Sequence, residues 1–374
     1  MEFRDLKKQY RNHQEAIDGA LAGVLAQADF IGGKAVGELE EKLAAYVGVK
    51  HCVTCANGTD ALQLALMAWG IGQGDVVFVP DFTFFSSGEV VSAVGATPVF
   101  VDVEKETFNM DVQSLKEAIE RVKSSTDLIP KVIVAVDLFG QPADYSAIRK
   151  IADENNLLIL EDSAQGFGGR IGDRKTCSFG DISTTSFFPA KPLGCYGDGG
   201  AVFTDDDNIA AILKSLKVHG KGTDKYDNIR IGMNSRLDTL QAAVLLQKME
   251  FFEKELENCN QAAEFYSREL GEYVTVPKVK EGFYSSWAQY TILLKDEEQR
   301  NRTLNELKNK GIPTAVYYQK PMHQQKAFEE KQPVKIDCPN TEAICQTCLS
   351  LPMHGYLEEE DMKTICKAIV ESLQ

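Results

Sequence analysis

Leu157-Leu158-Ile159-Leu160-Glu161-Asp162-Ser163-Ala164-Gln165 is a short apolar run that leads straight into acids and small polar residues. A run of this length without polar alternation belongs to a strand buried on both faces. Working outward, Val76 to Val79, Val99 to Val103, Val132 to Val136 and Thr184 to Phe188 are similar apolar or β-branched runs. Helical periodicity accompanies them at Leu39 to Tyr46, Val112 to Val122 and Tyr145 to Glu154. Such alternation from about Glu38 to Thr204 predicts an α/β domain on a mainly parallel sheet. Ligands on these sheets sit beyond the carboxyl ends of the strands. Here those ends lead into Asp81-Phe82-Thr83-Phe84, Asp137-Leu138-Phe139-Gly140, Asp162-Ser163-Ala164-Gln165 and Pro189-Ala190-Lys191.

After Asp238 one long helical pattern runs through Leu240, Val244, Leu245 and Phe251 toward Leu270. Tyr290 to Leu294, a helix near Arg302 to Lys310 and a last helix near Glu359 to Leu373 predict a smaller α+β lobe. The expected division is 1–250 for the large α/β domain and 251–374 for the small C-terminal domain. The boundary, near Lys248 to Glu255, falls inside the long helical pattern, and the segment before about Phe30 is expected on the small lobe.

With 374 residues, the chain is long enough for two domains. A formal charge of −15 excludes general nucleic-acid binding by a basic surface. No apolar run reaches the roughly 20 residues that span a bilayer, and Met1 to Glu15 is too polar for a secretory signal. A cytoplasmic protein is expected. Nine scattered cysteines, an odd number, read as reduced thiols rather than a disulfide framework. Cys345 and Cys348 have CxxC spacing, yet no histidine pair nearby completes a zinc set. They read as two thiols on one helical turn, one partly buried, and no metal is expected.

The stretch Ser186-Phe187-Phe188-Pro189-Ala190-Lys191, continuing to Gly200, sets one lysine among small, permissive residues. Lys191 is thereby a candidate Schiff-base nucleophile. Asp162, at the end of an apolar strand, needs a cationic partner to remain charged there. Gln165 follows three residues later as a candidate donor. Asn57-Gly58-Thr59-Asp60 precedes a strong helical run, so Gly58 and Thr59 sit where free N–H groups meet an anion. Read alone, the same residues are an ordinary helix cap. Phe84 is a candidate to stack on a flat ring, although an aromatic there is more often core. An amine, a carboxylate and phosphate donors in one chain are what pyridoxal phosphate requires. A nicotinamide site is disfavoured, because the glycines at Gly166 to Gly172 do not follow a first strand.

Four motifs in this order give the chain a closer likeness: Ala56 to Leu62 (ANGTDAL), Glu161 to Gln165 (EDSAQ), Ser186 to Gly200 (SFFPAKPLGCYGDGG) and Asn234 to Ala243 (NSRLDTLQAA). Together they resemble the DegT-type (DegT/StrS) aminotransferases, fold-type I pyridoxal-phosphate enzymes that act on nucleotide-linked keto sugars. The resemblance implies a mainly parallel seven-stranded sheet with a smaller α+β lobe. It implies that Lys191 carries the cofactor, that Asp162 binds the ring nitrogen and Gln165 the ring oxygen, and that Gly58, Thr59 and Ser186 bind the phosphate. The family asparagine matching Asn234 reaches the phosphate from the other subunit, implying a homodimer with shared active sites. An amino acid, glutamate by family habit, would be the donor, and the product a precursor for surface polysaccharide or glycan. Relatives with histidine in place of this lysine are dehydratases, and some relatives were first described as regulators; Lys191 favours transamination over both readings. The motif around Lys191 looks most like enzymes that aminate carbon three of UDP-linked 2-acetamido-3-oxo-glucuronate. The chain departs from them at Tyr317-Tyr318-Gln319, where His-Tyr-Pro is usual. Tyr318 and His323 match family positions, and the resemblance makes both candidates for binding the substrate. Arg236 is a candidate for an anionic part of the substrate, or equally for a dimer-interface salt bridge.

Overall fold

The apolar runs pair into one sheet in a computed structural model, which describes residues 1–224 and 226–374. Three helices come first: α1 (Leu6–Asn12), α2 (Gln14–Gln27) and α3 (Lys34–Val47). The sheet strands are β1 (His51–Cys55), β2 (Asp75–Pro80), β3 (Thr97–Val101), β4 (Ile129–Val136), β5 (Leu158–Asp162), β6 (Ile182–Ser186) and β7 (Gly200–Thr204). Between them run α4 (Gly58–Ala68), α5 (Ser86–Ala93), α6 (Val112–Ser125) and α7 (Tyr145–Asn155), and α8 (Asp207–Leu216) follows β7. The order across the sheet is β1-β7-β6-β5-β4-β2-β3. Only β7 runs against its neighbours β1 and β6, so the sheet is α/β and mainly parallel, as expected.

Alternation along the central strands serves two cores. Val77, Val79, Val132, Val134 and Leu160 pack with Leu62, Leu66, Val90 and Val91 of α4 and α5. Val76, Phe78, Ile133, Ala135 and Ile159 face the other way, onto Leu115 and Ile119 of α6 and Ile148 and Ile151 of α7. Burial on both faces is why these strands read as unbroken apolar runs. Two strands of this sheet were missed in the sequence. β1 carries His51 and Thr54, and β7 opens on a glycine, so neither presents an unbroken run of strand-forming residues. The run placed at Thr184 to Phe188 ends two residues earlier, at Ser186.

The long helical pattern after Asp238 is two helices, α9 (Thr239–Met249) and α10 (Phe252–Leu270). The break is at Phe251, with φ −118° and ψ 5°. It separates two adjacent aromatic rings: Phe251 stacks on His13 at 3.4 Å, while Phe252 enters the core 5.6 Å from Phe167. Beyond it lie β8 (Tyr290–Leu293), α11 (Glu297–Asn309), α12 (Pro339–Thr347), β9 (Cys348–Leu351) and α13 (Glu359–Ser372). β8 and β9 pair antiparallel, and Tyr266, Leu270, Ile292, Leu307, Ile365 and Ile369 share a core of their own. We propose a domain division at 250/251, at the helix break. Phe252 and Leu256 of α10 still pack with the larger body. At the other end of the chain, Phe3 O accepts from Met353 N–H at 3.1 Å, and Lys8 Nζ donates to Tyr356 O at 3.3 Å.

All nine cysteines are free and buried. Cys345 and Cys348 do not share a helical turn: α12 ends between them, and both are buried. A second CxxC, Cys52 to Cys55, was overlooked in the sequence. It lies on β1, where strand alternation sends Cys55 to one core and Cys52 to another. No helix among the described residues is long and apolar enough to cross a membrane.

Candidate active site

The site begins where α4 meets the end of β6. Asn57 caps α4 by accepting Asp60 N–H at 2.8 Å, which leaves the N–H groups of Gly58 and Thr59 at the helix start without an intrahelical acceptor. A Cβ on Gly58 would stand 2.7 Å from Ser186 Cβ and 3.1 Å from its Oγ. Glycine is therefore what lets the helix end close onto Ser186. Thr59 Oγ1 is 2.8 Å from Ser86 Oγ at the start of α5. Ser235 Oγ accepts Ala56 N–H at 3.0 Å and fixes the strand leading into this turn.

Asp162 ends β5, in register with Val136 on β4 and Thr184 on β6. It is 5 % exposed. Its Oδ2 accepts from Ser87 Oγ at 2.8 Å, and its Oδ1 takes Ala164 N–H at 3.3 Å. Burial raises its pKa, against the pull of Ser87, Ala164 N–H and the nearby Lys191 amine. A cation delivered to this carboxylate would therefore be held firmly.

Lys191 sits in the turn after β6. Its N–H donates to Phe188 O at 2.8 Å, and its carbonyl accepts from Arg4 Nη2 at 2.9 Å. Burial brings the amine down to about 8; Asp162 opposes this, and Arg4 reinforces it. An amine in that range is a usable nucleophile and base near neutral pH.

Gln165 Oε1 accepts Phe139 N–H at 2.7 Å, so its amide is oriented and Nε2 donates to the Tyr318 hydroxyl at 3.0 Å. Phe84, two residues before α5, is 54 % exposed and lies 6.4 Å from the Tyr318 ring. It is a surface of the site rather than core. Gly58, Thr59, Ser186, Asp162, Lys191, Gln165, Phe84 and Tyr318 thus form one connected set.

Three sequence candidates stand apart from it. His323 is tied to Asp81: its Nδ1 lies 2.6 Å from Oδ2, and its N–H donates to Oδ1 at 2.8 Å. The Asp81 hydrogen bond raises its pKa, against the effect of burial. Cys338 joins them, with ligand atoms of all three within 4.8 Å of one another. The Asp81–His323 contact is a hydrogen bond, shorter than the spacing of two ligands on one ion. Asn234 and Arg236 are exposed and bond each other, Arg236 Nη2 donating to Asn234 Oδ1 at 2.9 Å. Between and beyond them, Ser235 and Leu237 turn into their own chain's interior. Leu237 is 2 % exposed in the core with Leu39 and Leu245.

The residues present fit pyridoxal phosphate: a glycine-lined helix start, a buried carboxylate whose charge lacks a full partner, and a half-buried amine beside it. The sequence reading missed Ser87, Ser86 and Ser235, which hold Asp162, Thr59 and the Ala56 turn. The serine pair after Thr83-Phe84-Phe85 was the one available signal. It missed Arg4 as well, for which spacing offers no sign. A fully buried lysine elsewhere, Lys248 on α9, is 2 % exposed, with its amine 4.4 Å from the Tyr196 ring centre and brought by burial to about 8.

Comparison with known proteins points to one family along nearly the whole chain. Residues 11–370 match the model of the DegT/DnrJ/EryC1/StrS aminotransferase family. The chain is 41 % identical over 370 residues, 99 % of each sequence, to UDP-2-acetamido-2-deoxy-3-oxo-D-glucuronate aminotransferase of Pseudomonas aeruginosa. A DegT DnrJ EryC1 StrS aminotransferase structure from Brucella abortus superposes with TM-score 0.95 at 46 % identity, over 99 % of this chain and 98 % of that one. The structure of NtdA from Bacillus subtilis, with the cofactor PMP bound, superposes with TM-score 0.88 at 28 % identity, over 97 % of this chain and 82 % of that one.

Proposed function

Because the chain belongs to the DegT/DnrJ/EryC1/StrS aminotransferase family, we propose that it moves an amino group from an amino acid to a keto sugar carried on a nucleotide, using pyridoxal phosphate. The observation that carries this reading is the meeting of Lys191 and Asp162 at the carboxyl ends of β5 and β6, beside the open start of α4. When bound, the cofactor supplies an aldehyde carbon that exchanges amino groups and a ring that withdraws electrons.

The chain's residues divide the remaining work. The N–H groups of Gly58 and Thr59, with the Ser186 hydroxyl, bind the phosphate. The Asp162 carboxylate holds the ring nitrogen in its protonated form. Gln165 Nε2 donates to the ring oxygen, with Tyr318 beside it as the hydroxyl it now serves. Phe84 covers one ring face. Lys191 Nζ would hold the cofactor covalently and, when free, would take and return the proton on the donor carbon. Asn234 and Arg236, exposed and bonded to each other, serve the site of a second copy, Arg236 toward an anionic part of the sugar nucleotide. Ile229 and Ile231, 56 % and 90 % exposed on the same loop, suit that burial. His323, held by Asp81, would serve the substrate. The nine free thiols agree with a cytoplasmic setting, and glutamate is the proposed donor.

The likeness to the Pseudomonas enzyme directs the choice of sugar to UDP-linked 2-acetamido-3-oxo-glucuronate. Incubating the protein with glutamate and a panel of UDP- and dTDP-linked keto sugars, read by mass spectrometry, tests this. Conversion of the UDP-3-oxo-glucuronate to its amino sugar is expected. Amination of a dTDP sugar alone would overturn the choice of substrate, and no amination of any member would overturn the class.

A further inference from the structure

The turn that carries Lys191 is gripped from the far end of the sequence. Arg4 Nη2 donates to the carbonyl of Lys191 itself at 2.9 Å, while the Lys191 N–H is committed to Phe188 O. Both backbone polar groups of Lys191, in the peptide units on either side of its Cα, are thus fixed. Arg4 lines a small cavity with Pro192, Glu255, Cys259, His354 and Tyr356. Its guanidinium cannot lose its proton at any accessible pH, so a permanent positive charge stands there on a half-buried side chain. Burial lowers its pKa, and Cys259 and Glu255 oppose that. Glu255 is itself committed, taking Gln9 Nε2 at 2.9 and 3.0 Å and the Tyr356 hydroxyl.

The segment around Arg4 is also anchored away from Lys191. Phe3 O takes Met353 N–H at 3.1 Å, Asp5 caps α1 by accepting Lys8 N–H at 2.8 Å, and Lys8 Nζ reaches Glu358 at 2.6 Å. Residues 3–9 therefore form a strap between the small lobe and the lysine turn. A half-buried charged donor aimed at one carbonyl is costly to leave unpaired, which makes the strap a rigid support.

We propose that Arg4 is a positioning residue for Lys191, holding the peptide that bears the amine and placing a fixed positive charge beside it. This rests on Lys191 being the cofactor-bearing lysine. The charged and titratable groups involved are few. The amine faces Asp162 from β5 and Arg4 from the strap. Arg4 acts in turn on Lys248 of α9, Cys259 of α10 and His354 of the small lobe, and feels Glu255. Asp162 favours the charged amine and Arg4 disfavours it, so removing the Arg4 charge favours protonation.

The test uses the full chain stripped of cofactor. Lys191 is acetylated with limiting acetic anhydride between pH 6 and 10, and its peptide is quantified by mass spectrometry. Wild-type protein is expected to titrate near pH 8. Arg4→Met is expected to move that midpoint up and so lower Lys191 reactivity at pH 7. Arg4→Lys, which keeps a charge but shortens the reach, is expected to fall between the two. If Arg4→Met does not fold, Arg4→Gln carries the same expectation. Superimposable titrations of folded wild type and variant would overturn the proposal. Because no cofactor is present, that failure is separate from any failure to find cofactor on Lys191.

Discussion

Replacing Asp162 by asparagine changes one buried atom and removes one buried charge. Asparagine has nearly the same volume and still offers an oxygen to Ser87 Oγ, now 2.8 Å from Oδ2, so the fold should persist. What is lost is the carboxylate facing both Lys191 and the proposed ring nitrogen. Removing one partner of a buried ion pair costs about 3–5 kcal/mol, and at about 1.4 kcal/mol per decade the amino-transfer step should slow by roughly 10²- to 10⁴-fold. The Lys191 amine should respond too. Asp162 raises its pKa, so the variant amine should titrate below the wild-type value of about 8. The assay is single-turnover conversion of bound cofactor by excess glutamate, followed spectroscopically from pH 6 to 10 in protein shown to be saturated. A rate within about threefold of wild type would refute the reasoning, because another group would then have to hold the ring proton.

Gly58→Ala should force Ser186 from the helix start, since the new Cβ would lie 2.7 Å from Ser186 Cβ; cofactor affinity by fluorescence titration should fall at least about tenfold, and unchanged affinity would remove Gly58 from the cradle. Lys191→Ala and Asn234→Ala chains should each be inactive, yet mixed dimers should regain about one good site in two, because both lesions fall in the same composite site. No recovery in dimers shown to form would place Asn234 in the site of its own chain. His354 is buried and held neutral, its pKa brought down by burial to about 4. An unfolded histidine binds its proton near pH 6.5, so stability should fall as pH drops from about 6.5 to 4, by up to about 3 kcal/mol. Urea midpoints for His354→Gln should lack that slope, and an equal slope in both proteins would assign the acid loss elsewhere.

What the sequence disclosed follows from which interactions are local. Leu157 to Leu160 betrays its strand because both faces are buried, and Asn57 to Asp60 betrays a helix start because a cap is a four-residue event. β7 begins on glycine and runs against its neighbours, so its place depends on pairing rather than on its own residues. The break between α9 and α10 escaped notice because it answers to His13 and Phe167, which are distant in sequence. The same reason hid the partners of the site. Ser87 meets Asp162 across 75 positions and Arg4 meets Lys191 across 187; no spacing rule spans such gaps. The disposition of Asn234 and Arg236, both turned outward while Ser235 and Leu237 turn in, needed the backbone as well.

The central claim is that one particular lysine carries the cofactor, and the fold offers a demanding alternative. Lys191 is half-buried and Lys248 buried, and both amines are brought to about 8, so low pKa alone does not choose between them. Only Lys191 faces Asp162. Borohydride reduction of the protein loaded with pyridoxal phosphate, followed by peptide mapping, decides directly. A stable pyridoxyl group on Lys191 is the predicted result, and a group on Lys248, Lys175 or Lys221 would contradict the account.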